Sequence, residues 1–368
     1  MTDEEGGAPA GPIPAAIVGA SGYIGQHFAR LLADHPWFRV EALVGTSRTD
    51  GTRYEDLWQL PEPPPSELAG RRLGARTPAA LARLGIRLVF SALPSGHAGP
   101  AETALTGRGI DVFTNASDHR MDSDVPLLVP EVNPDHLLRR PPPRPGRGLL
   151  VADPNCSAAG LVVALRPLWD LLRPTEVHVA TYQALSGAGY PGVPSLAIAD
   201  NVVPWIPDEE EKIAAESRRM LGTLRGASVV PSRTRIVAQC VRVPVRDGHL
   251  EAVTIVAGRA DATIGTIRSA LAGFDPLASA GLPTAPRPPV VLRREPDRPQ
   301  PIRDRWAGDP PRARGMAVSV GRLRWDPPIL RCFVLSHNAV RGGAGGSVLN
   351  AELAAAHGRL GRGNRRAA

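Results

Sequence analysis

Seven residues near the start of the chain, Gly19-Ala20-Ser21-Gly22-Tyr23-Ile24-Gly25, constrain its fold more than any others. They follow the apolar stretch Ala15 to Val18 and precede Gln26 to Asp34, where apolar residues recur at helical spacing; Arg39 to Val44 then reads as a second strand. Strand, glycine turn, helix and strand make a βαβ unit. The spacing G-x-x-G-x-x-G is a variant of the dinucleotide fingerprint: glycines allow a tight turn and close backbone approach, and the helix N-terminus is left to face a pyrophosphate. Glycines also cluster in ordinary strand-to-helix turns, so it is the setting that gives this motif its meaning.

An NAD enzyme places an acidic residue after the second strand, against the ribose 2′-hydroxyl. Here the chain reads Gly45-Thr46-Ser47-Arg48, which suits a 2′-phosphate, so NADP is the expected cofactor. Two more short apolar strands, Arg87 to Leu93 and Asp111 to Thr114, flank a helical Gly99 to Thr106 and continue a doubly wound pattern. A chain of 368 residues has room for a second domain. The expected division is a disordered tail over 1–13, an NADP-binding domain over 14–155 and a second domain over 156–340. In the second, strands are expected at Glu176 to Gln183, Arg235 to Val245, His249 to Ala257, Ala317 to Leu323 and Leu330 to Leu335, with helices at Glu209 to Leu221 and Ile264 to Ala272. So many strands with few crossovers predict a mixed sheet. Pro283 to Trp306 reads as a long irregular loop.

The formal charge of +7 comes from arginines that are scattered or beside prolines, and forms no basic stripe of the kind that binds nucleic acid. No apolar run approaches the roughly 18 residues of a membrane span, and Met1 to Gly11 is acidic and glycine-rich, so a soluble, cytoplasmic protein is expected. Cys156, Cys240 and Cys332 lie far apart, which suits neither a disulfide framework nor a C-x-x-C metal site; no metal is expected. Lys212 is the one lysine in an arginine-rich chain, and so a candidate for a role that a compact ammonium performs better than a guanidinium fork.

Cys156 follows Asp153-Pro154-Asn155 and opens an apolar helix, where unpaired N–H groups and the helix dipole favour a thiolate. Cys240 and Cys332 fall inside apolar strands and read as core. A thiolate that attacks an acyl group needs a proton partner, and His249 has the best placement. Arg246-Asp247-Gly248-His249 reads as a two-residue hairpin turn, which puts Arg246, His249, Pro244 and Arg242 on one face. Arg242, among valines, is a candidate for a substrate carboxylate or an internal ion pair. Asp208 is the expected N-cap of a helix carrying Glu209-Glu210-Glu211-Lys212; a Glu and a Lys three apart share a helical face and can meet an ammonium and a phosphate. Gln183 to Gly192 is an uncharged glycine-rich loop after a strand, as a loop packed on a ligand would be.

With these residues together, the chain closely resembles the archaeal and fungal branch of the aspartate-semialdehyde dehydrogenases from about Ala15 to Leu353. The resemblance rests on Pro154-Asn155-Cys156-Ser157, Tyr182 to Lys212, Arg242-Val243-Pro244-Val245 with Gly248-His249, and Leu335-Ser336-His337-Asn338 leading to Arg341-Gly342-Gly343-Ala344-Gly345. It implies an α/β chain: a Rossmann-like dinucleotide-binding domain, completed by a C-terminal helix within 341–360, plus an α+β catalytic and dimerisation domain. It further implies that Cys156 is the nucleophile, His249 the acid/base and Gln183 an orienting group beside the thioester. Arg242 would bind the substrate carboxylate, a glutamate of the 209–211 run, Glu209 foremost, the amino group, and Asn155, Lys212 and Arg120 the phosphate. For NADP the matching positions are Gly19, Ser21, Gly22, Tyr23, Ile24, Ser47, Arg48, Ser91, Ser186, Gly187 and Asn338. The implied reaction converts L-aspartyl-4-phosphate to the 4-semialdehyde with release of inorganic phosphate, in a homodimer or homotetramer. Longer proline and arginine loops, and Leu250 where threonine is common, leave room for a paralogue acting on another acyl phosphate or acyl-CoA, such as a malonyl-CoA reductase or an N-acetyl-gamma-glutamyl-phosphate reductase.

Overall fold

Short apolar runs, hydrophobic on both faces, can only be buried on both faces, and they build a parallel sheet. In the computed structural model, which describes residues 7–361, these are β1 (Ile13–Val18), β2 (Phe38–Val44), β3 (Leu88–Ser91), β4 (Asp111–Thr114) and β5 (Leu150–Ala152). Their order is β2-β1-β3-β4-β5, all parallel, with the order reversing between β1 and β3. Ligands of such sheets bind outside the carboxyl ends of the strands at that reversal. Of the tail expected over 1–13, Ile13 belongs to β1; residues 1–6 lie outside the described residues.

The second sheet is built from β6 (Pro174–Gln183), β9 (Arg235–Arg242), β10 (His249–Ala257), β11 (Val290–Arg293), β12 (Val318–Asp326) and β13 (Ile329–Ser336), in the order β11-β12-β13-β10-β6-β9. A separate hairpin joins β7 (Thr223–Arg225) to β8 (Ser228–Val230). Burial alternates along β9 and β10, so the large sheet has one covered face. Helices Cys156–Leu172, Glu209–Met220 and Ile264–Ala272 cover it, with Leu161, Leu165, Ile213, Ile267, Val253 and Ile255 in one core. The last helix, Gly345–Ala356, returns to the first sheet, where Val348 and Leu349 join Phe28, Phe90 and Phe113 in another core. Among the described residues no helix is long and apolar enough to cross a membrane.

Two expectations need correction. Pro283 to Trp306 is not structureless: Val290–Arg293 pairs in parallel with β12 as the sheet's edge strand. More consequentially, Arg246 to His249 is not a hairpin turn. β9 ends at Arg242 and pairs with β6, which lies between it and β10. After β9 the backbone serves another purpose: the Val245 carbonyl accepts from the Leu185 N–H at 2.7 Å and the Arg246 carbonyl from the Ser186 N–H at 3.1 Å, so this segment holds the glycine-rich loop in place of a partner strand.

Candidate active site

β5 leaves the first sheet at Ala152 and the chain turns into the long helix at Cys156, which is its first residue. The side chain of Asn155 makes that start possible, its carbonyl oxygen accepting from the N–H groups of Ser157 at 2.9 Å and Ala158 at 3.1 Å. The helix start does not by itself yield a thiolate. Burial pushes the Cys156 thiol well above its usual range and Glu209 adds to the rise, against Arg242, Arg120 and the Ser157 N–H, which favour the anion.

His249, the first residue of β10, is fully buried behind the sulfur, with Nε2 at 3.1 Å from Sγ. Its Nδ1 accepts a hydrogen bond from the Ala184 N–H at 3.1 Å. Arg242 arrives from the far side of β6, and its Nη1 donates to the Ala184 carbonyl at 2.8 Å. One residue just past β6, Ala184, therefore holds both groups, and the shared cleft expected from a hairpin is reached through a different topology. Gly187 packs between them: a Cβ there would lie 2.7 Å from Arg242 Nη1 and 3.2 Å from His249 Cε1, so any larger residue would have to displace the guanidinium and crowd the ring.

Gln183 and Glu209 are both buried and bonded to each other, Nε2 donating to the carboxylate at 2.8 Å. Glu210 turns instead to the Cys240 N–H at 2.9 Å, which leaves Glu209 as the glutamate of its run that lines the cleft. Asp208 occupies the N-cap position but makes no capping bond; its carboxylate lies 3.6 Å from Nζ of Lys212. Arg120 is fixed by Glu216, with Nη1 donating at 3.1 Å, while the other oxygen of Glu216 accepts from the Asn155 N–H at 2.6 Å. These groups line one cleft of about 480 Å³ that holds Cys156, Gln183, Glu209, Lys212, Arg242, Arg120 and Asn155.

Residues 14–139 match the family described as semialdehyde dehydrogenase, NAD binding domain, and residues 165–341 the semialdehyde dehydrogenase, dimerisation domain. An aspartate-semialdehyde dehydrogenase of Archaeoglobus fulgidus is 43% identical over 343 residues, 92% of this chain and 96% of that one. The chain belongs to the aspartate-semialdehyde dehydrogenase family. A malonyl CoA reductase (NADP) of Metallosphaera sedula is 37% identical over 354 residues, 93% of this chain and 96% of its own. Among solved structures, aspartate semialdehyde dehydrogenase with NADP from Candida albicans superposes with a TM-score of 0.83 at 33% identity, covering 95% of this chain and all of that one.

The dinucleotide half of a semialdehyde dehydrogenase cleft fits its glycine turn. Gly19 has φ +78°, and a Cβ on it would meet the Ala92 carbonyl oxygen at 2.6 Å. No side chain among the described residues caps the helix Tyr23–Leu32, whose N-cap Gly22 and first residues Tyr23 and Ile24 line the cleft. Its first-turn N–H groups are thus free for a phosphate. Ser186, Gly187 and Asn338 complete that wall, the Asn338 amide donating to Ser186 Oγ at 2.8 Å and its carbonyl accepting from the Gly248 N–H at 2.9 Å. Ser21 lies half-buried in the turn, and Ser47 and Arg48 are exposed beyond β2, outside the cleft lining. Ser91 is not in the cleft either: it is fully buried and donates to Glu102 at 2.6 Å, because it ends a strand covered on both faces. Ala92 to Ser95, just past it, take the place expected of Ser91. Sequence reasoning gave no site role to Glu216, and none individually to Tyr190 of the glycine-rich loop or Gly342 of the Arg341 to Gly345 segment. A Cβ on Gly342 would meet the Cys156 Cα at 2.6 Å, and its place after His337-Asn338 was the available signal.

Proposed function

We propose that this chain catalyses the NADP-dependent reductive dephosphorylation of L-aspartyl-4-phosphate to L-aspartate-4-semialdehyde through a thioacyl group on Cys156. The observation that carries this reading is one cleft in which a sulfur faces an imidazole at 3.1 Å while Arg242 and Glu209 offer opposite charges to a single small amino acid. Arg242 holds the α-carboxylate with the part of its guanidinium not bonded to Ala184, and Glu209, steadied by Gln183, takes the ammonium. Lys212, Arg120 and the Asn155 amide receive the phosphate, which departs as inorganic phosphate. Cys156 attacks the acyl carbon, with His249 answering the charge that develops there. Gly19 to Ile24 and Ser186, Gly187 and Asn338 hold NADP, with Ser47 and Arg48 meeting its 2′-phosphate. When bound, the reduced nicotinamide supplies the hydride that reduces the thioester.

In this reading residues 14–155 with the helix within 341–360 bind the dinucleotide, and 156–340 carry catalysis and self-association as a dimer or a pair of dimers. Three free cysteines suit the reducing cytoplasm. The Metallosphaera relative supports a second reading, in which the acyl group comes from coenzyme A. The test is phosphate-dependent NADP reduction with aspartate semialdehyde, set against coenzyme A-dependent reduction with malonate semialdehyde. Preference for the first pair supports the proposal and preference for the second replaces it. Cys156→Ala abolishes turnover and leaves NADP binding intact; normal turnover in that variant rules out the thioacyl route.

A further inference from the structure

Tyr23 opens the helix that follows the glycine turn, and its hydroxyl crosses the cleft to donate to Oδ1 of Asp247, 224 residues on. Asp247 is 6% exposed and does not line the cleft, whereas Tyr23, Ser186 and Tyr190 do. Its carboxylate therefore stands behind the wall, and what it holds is the wall itself. We propose that Tyr23 is a positioning residue, whose hydroxyl, held by Asp247, ties the dinucleotide-binding turn to the connection that delivers His249 and so fixes the imidazole against the sulfur of Cys156. The inference rests on the thioacyl reading for the roles of that sulfur and imidazole.

The connection 243–248 has no partner strand. Its Val245 and Arg246 carbonyls hold the glycine-rich loop, and between them and the first residue of β10 stand only Asp247 and Gly248. Gly248 is at φ +99°, and glycine has many alternatives to any one backbone setting, so the step into His249 depends on what grips it. Tyr23 takes the side chain of Asp247, and the Asn338 carbonyl accepts from the Gly248 N–H at 2.9 Å. Both holders are lining residues of the dinucleotide half of the cleft. Arg305 adds only a long contact, its Nη1 3.5 Å from the Asp247 carbonyl. The turn expected to receive the cofactor thus reaches to within two residues of the imidazole.

The electrostatics give this bond one direction. Burial, and after it Asp247, push the Tyr23 phenol up, so it keeps its proton and donates. At Asp247 burial opposes the charge, but the Tyr23 hydroxyl, His337, Ser186 and Arg246 outweigh it and hold the carboxyl below its usual range. A hydroxyl donating to a carboxylate out of water is a hydrogen bond of the stronger kind. The carboxylate would repel a diphosphate if it faced the cleft, and the hydroxyls of Tyr23 and Ser186 cover it. Ring packing aims the phenol: the Tyr23 ring meets Tyr190 edge-on at 5.2 Å and His27 at 4.8 Å between centroids. On the phosphate side Arg120 crosses to Glu216, and Tyr23 on Asp247 is the counterpart on the dinucleotide side.

Tyr23→Phe keeps the ring and its packing and removes only the hydroxyl. The expected loss in kcat for phosphate-dependent NADP reduction is about tenfold, the lower end of what a hydrogen bond to a charged group is worth. KM for NADP stays within about threefold of native, because the first-turn N–H groups are untouched. In an Asp247→Ala background the same substitution costs less than about twofold, since the two side chains act as one unit. An equal cost in both backgrounds overturns the proposal. So does a rise in KM for NADP in place of the fall in kcat, which would make the hydroxyl a cofactor ligand. A second readout needs neither acyl substrate nor NADP: the rate of iodoacetamide alkylation of Cys156 in the folded chain at neutral pH, followed by mass spectrometry of its peptide. Tyr23→Phe is expected to slow alkylation, because a displaced imidazole no longer assists the thiol. A native or faster rate shows that the hydroxyl does not act through His249, and overturns the proposal whatever the acyl substrate proves to be.

Discussion

Glu209 is buried, accepts from Gln183 and faces the cleft, whereas Glu210 and Glu211 beside it do not line it. Helical spacing made this partly legible, since a Glu and Lys212 three apart share a face, but the choice among residues 209–211 is made by the fold. The same period also reaches Glu216, seven residues on, which sequence reasoning passed over because a lone glutamate at the far end of a charged helix looks like a solvated one. Its role becomes visible only when Arg120 and the Asn155 N–H, distant in sequence, arrive on it. If Glu209 binds the substrate ammonium, Glu209→Gln raises KM for aspartate semialdehyde about 10- to 100-fold, the loss of a charged hydrogen bond of about 1.5–3 kcal/mol. Succinate semialdehyde, which lacks the amino group, keeps its KM. Steady-state kinetics on both substrates decide the matter, and equal losses on the two would remove Glu209 from amino recognition.

Elements whose signal is local were legible, and elements fixed by distant partners were not. The glycine turn, the long apolar helix and the alternating strands carry their own periodicity, and they form where the sequence placed them. The connection 243–248 carries a hairpin signature but receives the glycine-rich loop as its partner, a competition between two long-range pairings that no local pattern records. The start of the Cys156 helix depends on a local device, the Asn155 cap, and that device can be separated from any role in binding phosphate. Asn155→Ala is expected to lower unfolding stability by about 1 kcal/mol, whereas serine caps nearly as well and stays within about 0.5 kcal/mol of the native chain. Both variants lack the side-chain amide, so both raise KM for phosphate in the oxidative direction. Denaturant unfolding paired with phosphate kinetics checks this: a serine variant with a native phosphate KM shows that Asn155 only caps.

At the scale of the molecule, the cleft is where two sheets meet, the carboxyl ends of the parallel strands facing the start of β10 and the end of β6. One face of the second sheet is taken up by helices. On the other, Leu250 of β10 lies in register with Tyr182 of β6 on one side and Leu335 of β13 on the other. Tyr182 is 39% exposed, and the segment between the glycine-rich loop and the Glu209 helix leaves Leu196 94% and Trp205 70% exposed. Leu335 is itself covered, at 1% exposure, so the exposed apolar side chains of this region are Tyr182, Leu196 and Trp205; large apolar side chains left exposed together mark an interface, and a self-complementary patch closes as a two-fold dimer. Leu250→Arg puts a charge at the middle of the sheet's open face. Side chains alternate along a strand, so the substitution points away from His249 and leaves the sulfur and imidazole where they are. The expected outcome is a shift from dimer to monomer in sedimentation equilibrium, with a lower Tm and reduced kcat, because Tyr190 and Ile206 line the cleft at the two ends of the segment that would lose its cover. A variant that sediments as the native dimer would place the interface elsewhere.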